Sequence, residues 1–196
     1  MYPYAVFFII LLVRQSSALK YLFVPENDEF FSDCSKQPDN VLNINGLFDM
    51  SNFTIMQKDG VIQMSGNSTV IWQIHPGDRI QVSFQLFRFD RIGWFQTPFS
   101  MTVFNICPIL YDEPQYWYKY WTKNIINKED VKDKCVSPGT QLIHKPFELN
   151  LVFELTGLPL NGRYKNIVTV KPFSAKNVMR KTNICIEVEG QFERLN

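Results

Sequence analysis

The chain offers few side chains whose types and spacing could perform chemistry. Its two histidines are His75, beside a Pro-Gly pair, and His144, just before Pro146, and neither belongs to a spaced set of metal ligands. Nucleophile-elbow, phosphate-loop and zinc-protease motifs are absent from the sequence. Carboxylates such as Glu148 and Glu154 fall on the polar positions of an alternating segment, where a solvated surface is the ordinary interpretation. The enzymatic alternative is a glycosidase-type pair of carboxylates, but nothing in the sequence indicates one. We therefore predict a protein that is not an enzyme, with no catalytic residues, no metal site and no cofactor.

Aromatic side chains are the remaining candidates for a function. The chain has 17 Phe, 8 Tyr and 4 Trp, which indicates either a large filled core or the lining of an apolar cavity. For any single one of these residues core packing is the more common role, but a sandwich that closes around this much aromatic bulk is able to separate its sheets and leave a pocket. The predicted pocket or lid residues are Trp72, Phe84, Leu86, Trp94, Phe104, Trp117, Trp121 and Phe153.

The N-terminus predicts a signal peptide over residues 1–18. The apolar run Ala5–Val13 is too short to span a bilayer, and small residues ending at Ala18 fit a cleavage site. A signal anchor is the alternative, because no Lys or Arg precedes the run. Cleavage leaves 196 − 18 = 178 residues, and we predict one secreted, extracellular domain over 19–196 with no stable membrane insertion. The net charge of +1 argues against nucleic acid as a partner, because it implies no basic face.

Four cysteines lie in the predicted mature chain, and secretion with an even count favours two disulfides. Of the three possible pairings we favour Cys34–Cys185, which ties the start of the domain to its last strand, with Cys107–Cys135, which closes an aromatic segment. Cys185 alternates with the core-facing positions, so its bridge is expected on the outer face, between neighbouring strands. Zinc is the alternative, and it is disfavoured because the chain has no Cys-x-x-Cys pair.

Alternation of apolar and polar residues with a period of two dominates the predicted mature chain. It predicts the strands that position the candidate pocket residues and the cysteines. The segments Ile80–Leu86, Phe147–Leu155 and Ile184–Val188 alternate apolar and polar side chains, as half-buried strands do. Weaker strands are predicted at 53–57, 61–65, 69–74, 99–106 and 164–171. Strands of this number and spacing predict an all-β fold, a two-sheet antiparallel sandwich.

Turn chemistry separates the predicted strands. His75-Pro76-Gly77-Asp78 fits a type II turn, and Gly66-Asn67 and Asn161-Gly162 are further turn signals. The sequons that begin at Asn52 and Asn67 predict glycans on exposed strand ends or turns.

One segment, near residues 113–127, predicts a short aromatic helix inserted into the β-rich chain. Asp112 and Gln115 have the spacing of a capping box. Trp117 and Trp121, followed by Ile125, fall at i, i+4 and i+8 and form one apolar stripe that must be buried. The stripe either plugs the end of the sandwich or roofs a cavity.

The same helix carries Lys119 and Lys123 on another face. With tryptophan and tyrosine nearby, these lysines are able to meet anionic lipid headgroups, which is a weaker signal.

Short motifs spread from about Cys34 to Phe192 resemble those of a known family. They are Trp94-x-x-Thr97, Cys107-Pro108, Tyr120-Trp121-Thr122-Lys123-Asn124, Lys134-Cys135-x-x-Pro138-Gly139, Asn161-Gly162-Arg163-Tyr164 and Cys185-x-x-x-x-Gly190-x-Phe192. In these motifs the chain resembles the insect CheA chemosensory proteins, which are similar to the lysosomal ganglioside-activator protein and to ML-type lipid-recognition domains.

The resemblance implies a β-sandwich cup with an apolar pocket between its sheets. It also implies secretion, lipid or hydrocarbon-like ligands, and a role in gustatory sensing or pheromone perception. The two favoured disulfides correspond to two bridges of the activator-type proteins, which carry more cysteines than this chain.

The sequence thus predicts a secreted, non-enzymatic binding protein for small hydrophobic or lipid-like ligands in chemosensory perception. The expected partners are that ligand and a sensory receptor or channel. Two alternatives remain, an extracellular protein–protein interaction module with a filled core and a lipid-presenting cofactor of a hydrolase.

Overall fold

A computed structural model describes residues 18–26, 29–35, 37–58, 61–156 and 159–195. The predicted signal peptide lies outside these residues except for Ala18. Within them the chain forms the strands β1 (Leu19–Pro25), β2 (Ser32–Asp33), β3 (Val41–Leu42), β4 (Phe48–Lys58), β5 (Val61–Val70), β6 (Arg79–Asp90), β7 (Gly93–Val103), β8 (Gln141–Leu149), β9 (Val152–Leu155), β10 (Gly162–Phe173) and β11 (Asn183–Arg194). The short helices are α1 (Ile44–Leu47), α2 (Tyr116–Tyr120) and α3 (Lys128–Val131), with 3-10 turns at Cys107–Ile109 and Thr122–Asn124.

The strands form two sheets, which confirms the predicted all-β sandwich. The large sheet has the order β7-β6-β10-β11-β1-β9, and β2 and β3 pair with the free part of β11. The small sheet has the order β4-β5-β8. Neighbouring strands are antiparallel except for β3, which runs parallel to β11.

The two sheets pack face to face through a main apolar cluster. The small sheet contributes Val70 and Leu142, and the large sheet contributes Val82, Val170 and Ile184. All of these side chains are buried, so this end of the sandwich is closed.

A second cluster closes another part of the large sheet, where Tyr21, Phe23, Leu160, Tyr164 and Phe192 pack together. A third cluster covers part of the small sheet and is centred on Ile62, Met64 and Leu149. The buried residues thus form three clusters, and the half-buried side chains of Val188 and Leu151 each pack against two of them.

The predicted strand Phe147–Leu155 is divided between the sheets, so its prediction as one strand is wrong. β8 ends at Leu149 in the small sheet, and β9 begins at Val152 in the large sheet. Between them the Val152 N–H donates to the Asn150 carbonyl, 3.0 Å away. A chain that changes sheets makes a corner of the sandwich, and the alternation of side chains continues across it because both strands remain half-buried.

Two of the predicted turns have different outcomes. The His75–Asp78 turn is confirmed, because the Asp78 N–H donates to the His75 carbonyl and Gly77 has φ +82°. The Gly66-Asn67 turn is wrong, because both residues lie inside the continuous strand β5.

A bulge replaces the turn that was predicted at Gly66. This glycine has φ +109°, and a Cβ placed on it would lie 2.1 Å from the Asn52 carbonyl oxygen. Only glycine fits a position that combines this backbone conformation with so close an approach. Both sequon asparagines therefore lie in mid-strand, where Asn52 of β4 pairs directly with Asn67 of β5, and their glycosylation stays a prediction.

Both favoured disulfides are confirmed, Cys34–Cys185 and Cys107–Cys135, with Cα–Cα distances of 5.8 and 5.2 Å. Cys34 directly follows β2, which pairs with β11 beside Cys185. The first bridge thus joins neighbouring strands, as the alternation predicted.

The aromatic insert is helical where predicted, but it is shorter and interrupted. α2 covers Tyr116–Tyr120, and its N-cap is Gln115 without a side-chain capping bond. The capping box that was predicted from Asp112 is therefore wrong. Trp121 leaves the helical conformation with φ −130° and ψ −71°, because the residues after it bond to other elements.

The contacts that end α2 are tertiary. The Thr122 hydroxyl donates to the Leu110 carbonyl, and Ile125 forms an isolated antiparallel bridge with His144 of β8. These bonds outweigh the local helix preference, and they direct Trp117 and Trp121 to different partners.

Candidate functional site

The inner face of the large sheet changes in burial along its strands. At one end Val82, Val170 and Ile184 pair across β6, β10 and β11 and are buried. Residues two positions further along a strand lie on the same face. The next row contains Phe84, Val168 and Ile186; Phe84 and Val168 are only half-buried, whereas Ile186 is buried in the main cluster.

The third row of this face, Leu86, Asn166 and Val188, is half-buried throughout. Beyond it, Tyr164 and Phe192 belong to the second buried cluster. Partly accessible apolar side chains therefore lie between two closed regions. Asn166 is the polar side chain among them, and a single polar group in an apolar site is suited to orienting a ligand.

The small sheet presents a row of different character. Phe53, Gly66 and His144 pair directly across β4, β5 and β8. Because Gly66 has no side chain, the rings of Phe53 and His144 meet across it, with centroids 5.1 Å apart. Phe147 packs beside them, 6.1 Å from His144.

Trp121 of the insert packs on this row. Its ring centroid lies 4.8 Å from that of His144 and 5.5 Å from that of Phe53. Phe31 contacts Trp121, with ring centroids 6.3 Å apart, and also packs against the main cluster. The insert thus covers the small sheet with aromatic contacts at this point, and Trp121 also packs against the cluster of Ile62, Met64 and Leu149.

His144 is the titratable group of this aromatic set. It is 4% exposed, and neither ring nitrogen has a well-aligned hydrogen-bond partner among the described residues. Burial disfavours the charged imidazolium and lowers the pKa of His144 to about 4, although nearby backbone groups of Leu142 and Gly66 oppose the shift. The ring is therefore neutral at physiological pH.

The insert has a second anchor at Trp117. Its indole N–H donates to the Ile109 carbonyl, 2.9 Å away, and the ring packs against the main cluster. Three residues later in α2, the Tyr120 hydroxyl donates to the Val152 carbonyl of β9 and its ring packs on Phe153. α2 therefore contacts both sheets.

The eight predicted pocket residues are dispersed. Phe84 and Leu86 share the half-buried inner face, and Trp121 covers the small sheet. Trp72 is buried in the main cluster, 1% exposed, and Phe153 packs with the second cluster.

The other three predicted residues have separate environments. Trp117 packs against the main cluster. Trp94 lies on the outer face of the large sheet, near the charged groups of Arg163 and Lys165. Phe104 is 70% exposed.

Sequence reasoning missed Phe53, Gly66, His144 and Phe147 as neighbours of Trp121. The available signal was that Leu142 and His144 lie two residues apart and so share the core face of their strand. The bulge at Gly66 left no comparable signal.

Two clefts also open on the surface. One, of about 440 Å³, adjoins the Cys34–Cys185 disulfide. The other, of about 450 Å³, lies beside Phe48, Met50 and Ile71. Neither is lined by any of the eight predicted pocket residues.

No protein-family model matches the chain, and a search of curated proteins finds no match. The case for a function therefore depends on the site. Among the described residues, no helix has the length and apolar character needed to cross a membrane.

Proposed function

We propose that the protein is a secreted, non-enzymatic binding protein for small hydrophobic or lipid-like molecules. The observation that carries this proposal is the half-buried middle of the inner face, around Phe84, Leu86, Val168 and Val188. Apolar side chains between two closed clusters would normally be buried. Their partial exposure supports an apolar ligand as the group that completes the burial.

The expected energetics fit a weakly polar ligand. Burial of apolar surface contributes about 25 cal/mol per Å², and Asn166 is positioned to fix one polar group of the ligand. The aromatic contacts of Trp121 with Phe53 and His144 make it a candidate roof. The chemosensory role, gustatory or in pheromone perception, and a receptor or channel as partner are inferred from the motif resemblance.

A filling substitution tests the proposal. Val168→Phe places a larger side chain in the half-buried row, while Ile167→Phe is the matched control on the same strand and the opposite face. We expect Val168→Phe to abolish uptake of an apolar fluorophore such as N-phenyl-1-naphthylamine, and Ile167→Phe to bind it as the native protein does. Both variants are first checked for the native circular dichroism spectrum.

Native mass spectrometry of the secreted protein supplies an independent result. A copurifying apolar molecule that Val168→Phe lacks would support the proposal. Absence of fluorophore uptake by the native protein, or equal uptake by both variants, would overturn it and favour a filled-core interaction protein.

A further inference from the structure

The β6–β7 hairpin ends in an apolar tip. The two strands meet at the turn Arg91-Ile92, where Ile92 is 88% exposed. Phe95 and Phe89 follow on either side, with 49% and 38% of their surfaces exposed. Large apolar side chains this exposed and this close in sequence mark an interaction site.

The tip is apolar on both faces of the hairpin. Phe89 pairs with Trp94, whereas the next pair, Arg88 with Phe95, points to the opposite face. Ile92 lies at the end between the two faces. A groove on a protein covers one face of such a hairpin, but the acyl region of a lipid layer surrounds its whole end, so this distribution favours a membrane surface.

The charges around the tip are also complementary to a lipid headgroup. Arg88 and Arg91 are exposed at the level of the apolar tip. Asp90 is the acidic residue of the turn, and its carboxylate accepts a hydrogen bond from the Arg91 backbone N–H. Arginine binds phosphate through several parallel N–H groups, so two arginines beside one aspartate favour an anionic lipid surface.

The outer side of the hairpin is held in place by the rest of the sheet. The Arg163 guanidinium lies 5.2 Å from both the Phe89 and the Trp94 ring centroids, and it forms ion pairs with Glu26 and Glu189. The tip is therefore presented on a preorganised support, which lowers the entropy that docking would cost.

From this geometry we propose that the β6–β7 tip is a docking site for anionic membrane surfaces. Ile92 and Phe95 enter the boundary between headgroups and acyl chains, and Arg88 and Arg91 contact lipid phosphates. The association is peripheral and reversible, since one short tip buries far less apolar surface than a spanning helix. The proposal is independent of ligand binding between the sheets.

Vesicle cosedimentation of the secreted protein tests the site. We expect the native protein to bind vesicles of mixed phosphatidylcholine and phosphatidylglycerol and to bind phosphatidylcholine alone much more weakly. Ile92→Ser should weaken partition onto the mixed vesicles about tenfold, from the apolar surface that no longer enters the lipid. Arg91→Gln should weaken it about fivefold, and added salt should reduce that difference.

The matched control is Ile126→Ser, which alters an isoleucine 64% exposed on the aromatic insert. This variant should bind vesicles as the native protein does. Absence of native binding to the mixed vesicles would overturn the proposal and leave a protein partner as the occupant of the tip. Equal loss in Ile92→Ser and Ile126→Ser, or loss in Ile126→Ser alone, would overturn the assignment to the hairpin.

Discussion

Val170 and Val168 lie two residues apart on β10 and face the same interior, yet their environments differ. Val170 is 8% exposed and pairs with Val82 and Ile184 in the closed end of the sandwich. Val168 is half-buried and pairs with the half-buried Phe84 on one side and the buried Ile186 on the other. Both positions have the same side chain, so the difference comes from what covers them.

The cover differs because the two sheets differ in size. The small sheet has three strands and the large sheet has eight, so the small sheet cannot cover the whole inner face. Where its residues Val70 and Leu142 reach the large sheet, the core is closed. Beyond that contact, the large sheet keeps apolar side chains partly accessible, which separates a structural region from a candidate binding region on one continuous face.

The aromatic insert shows a similar difference between a tryptophan on the closed region and a tryptophan elsewhere. Trp117 packs on the main cluster and donates a hydrogen bond to the Ile109 carbonyl. Trp121 packs instead on the rings of Phe53 and His144 and on the cluster centred on Met64. The two tryptophans therefore allow the alternatives, a plug for the sandwich or a roof over a cavity, to be tested separately.

The largest expected effect comes from Trp117. Trp117→Ala should lower the free energy of unfolding by about 3 kcal/mol, at the lower end of the range for a buried tryptophan because the ring is half-buried. Trp121→Ala should lower it by about 2 kcal/mol but should speed ligand release more than Trp117→Ala does. Urea denaturation and fluorophore dissociation rates measure the two quantities. If both variants change both quantities in proportion, the insert acts as one plug and the comparison fails.

The next effect is a dependence of stability on pH at His144. Its folded pKa of about 4 lies below the usual 6.5, so the folded state binds fewer protons than the unfolded state between these values. The contribution of neutral His144 is present above pH 6.5 and is lost as the pH falls towards 4. The expected loss is about 2–3 kcal/mol, at the upper end if the ring stays fully buried.

Replacement of this histidine by phenylalanine is the control for the pH effect. His144→Phe keeps a ring between Trp121 and Phe53 and removes the titrating nitrogens. Urea unfolding between pH 7 and pH 4 should show the steeper loss in the native protein alone. Equal slopes for the two proteins would mean that other groups cause the loss and that the aromatic contact with Trp121 is insensitive to acid.

Much of the fold was predictable because it follows from local alternation. The apolar positions of Ile80–Leu86 and Ile184–Val188 identify strands and their inner faces, and the position of Cys185 in that pattern placed its disulfide between neighbouring strands. These features depend on neighbouring residues of one segment, which a single sequence records directly.

The candidate site was less predictable because it depends on where the two sheets separate. Leu149 and Leu151 belong to one alternating run, but the chain leaves the small sheet between them. The bulge at Gly66 brings Phe53 and His144 together. A single glycine in a strand does not indicate which residues of the neighbouring strands will pair with it. Likewise, contacts with residues distant in sequence determine the position of Trp121, which does not follow the helical period that starts at Trp117.

The smallest expected change in stability gives the most direct comparison of the closed row at Val170 with the half-buried row at Val168. Val170→Ala should lower the free energy of unfolding by about 2 kcal/mol, because two buried methyl groups are lost and a cavity remains. Val168→Ala should cost less than about 1 kcal/mol in the ligand-free protein, since part of that side chain already meets solvent.

The two valines should rank in the opposite order for one other quantity, the stabilisation that an apolar ligand adds: here Val168→Ala should have the larger effect. The ligand stabilises the native protein by binding the folded state, and that gain should shrink in Val168→Ala while Val170→Ala keeps it. Urea unfolding with and without the fluorophore measures the gain. A gain that shrinks equally in both variants would mean that the closed end and the middle form one core, and that the half-buried row is not where the ligand binds.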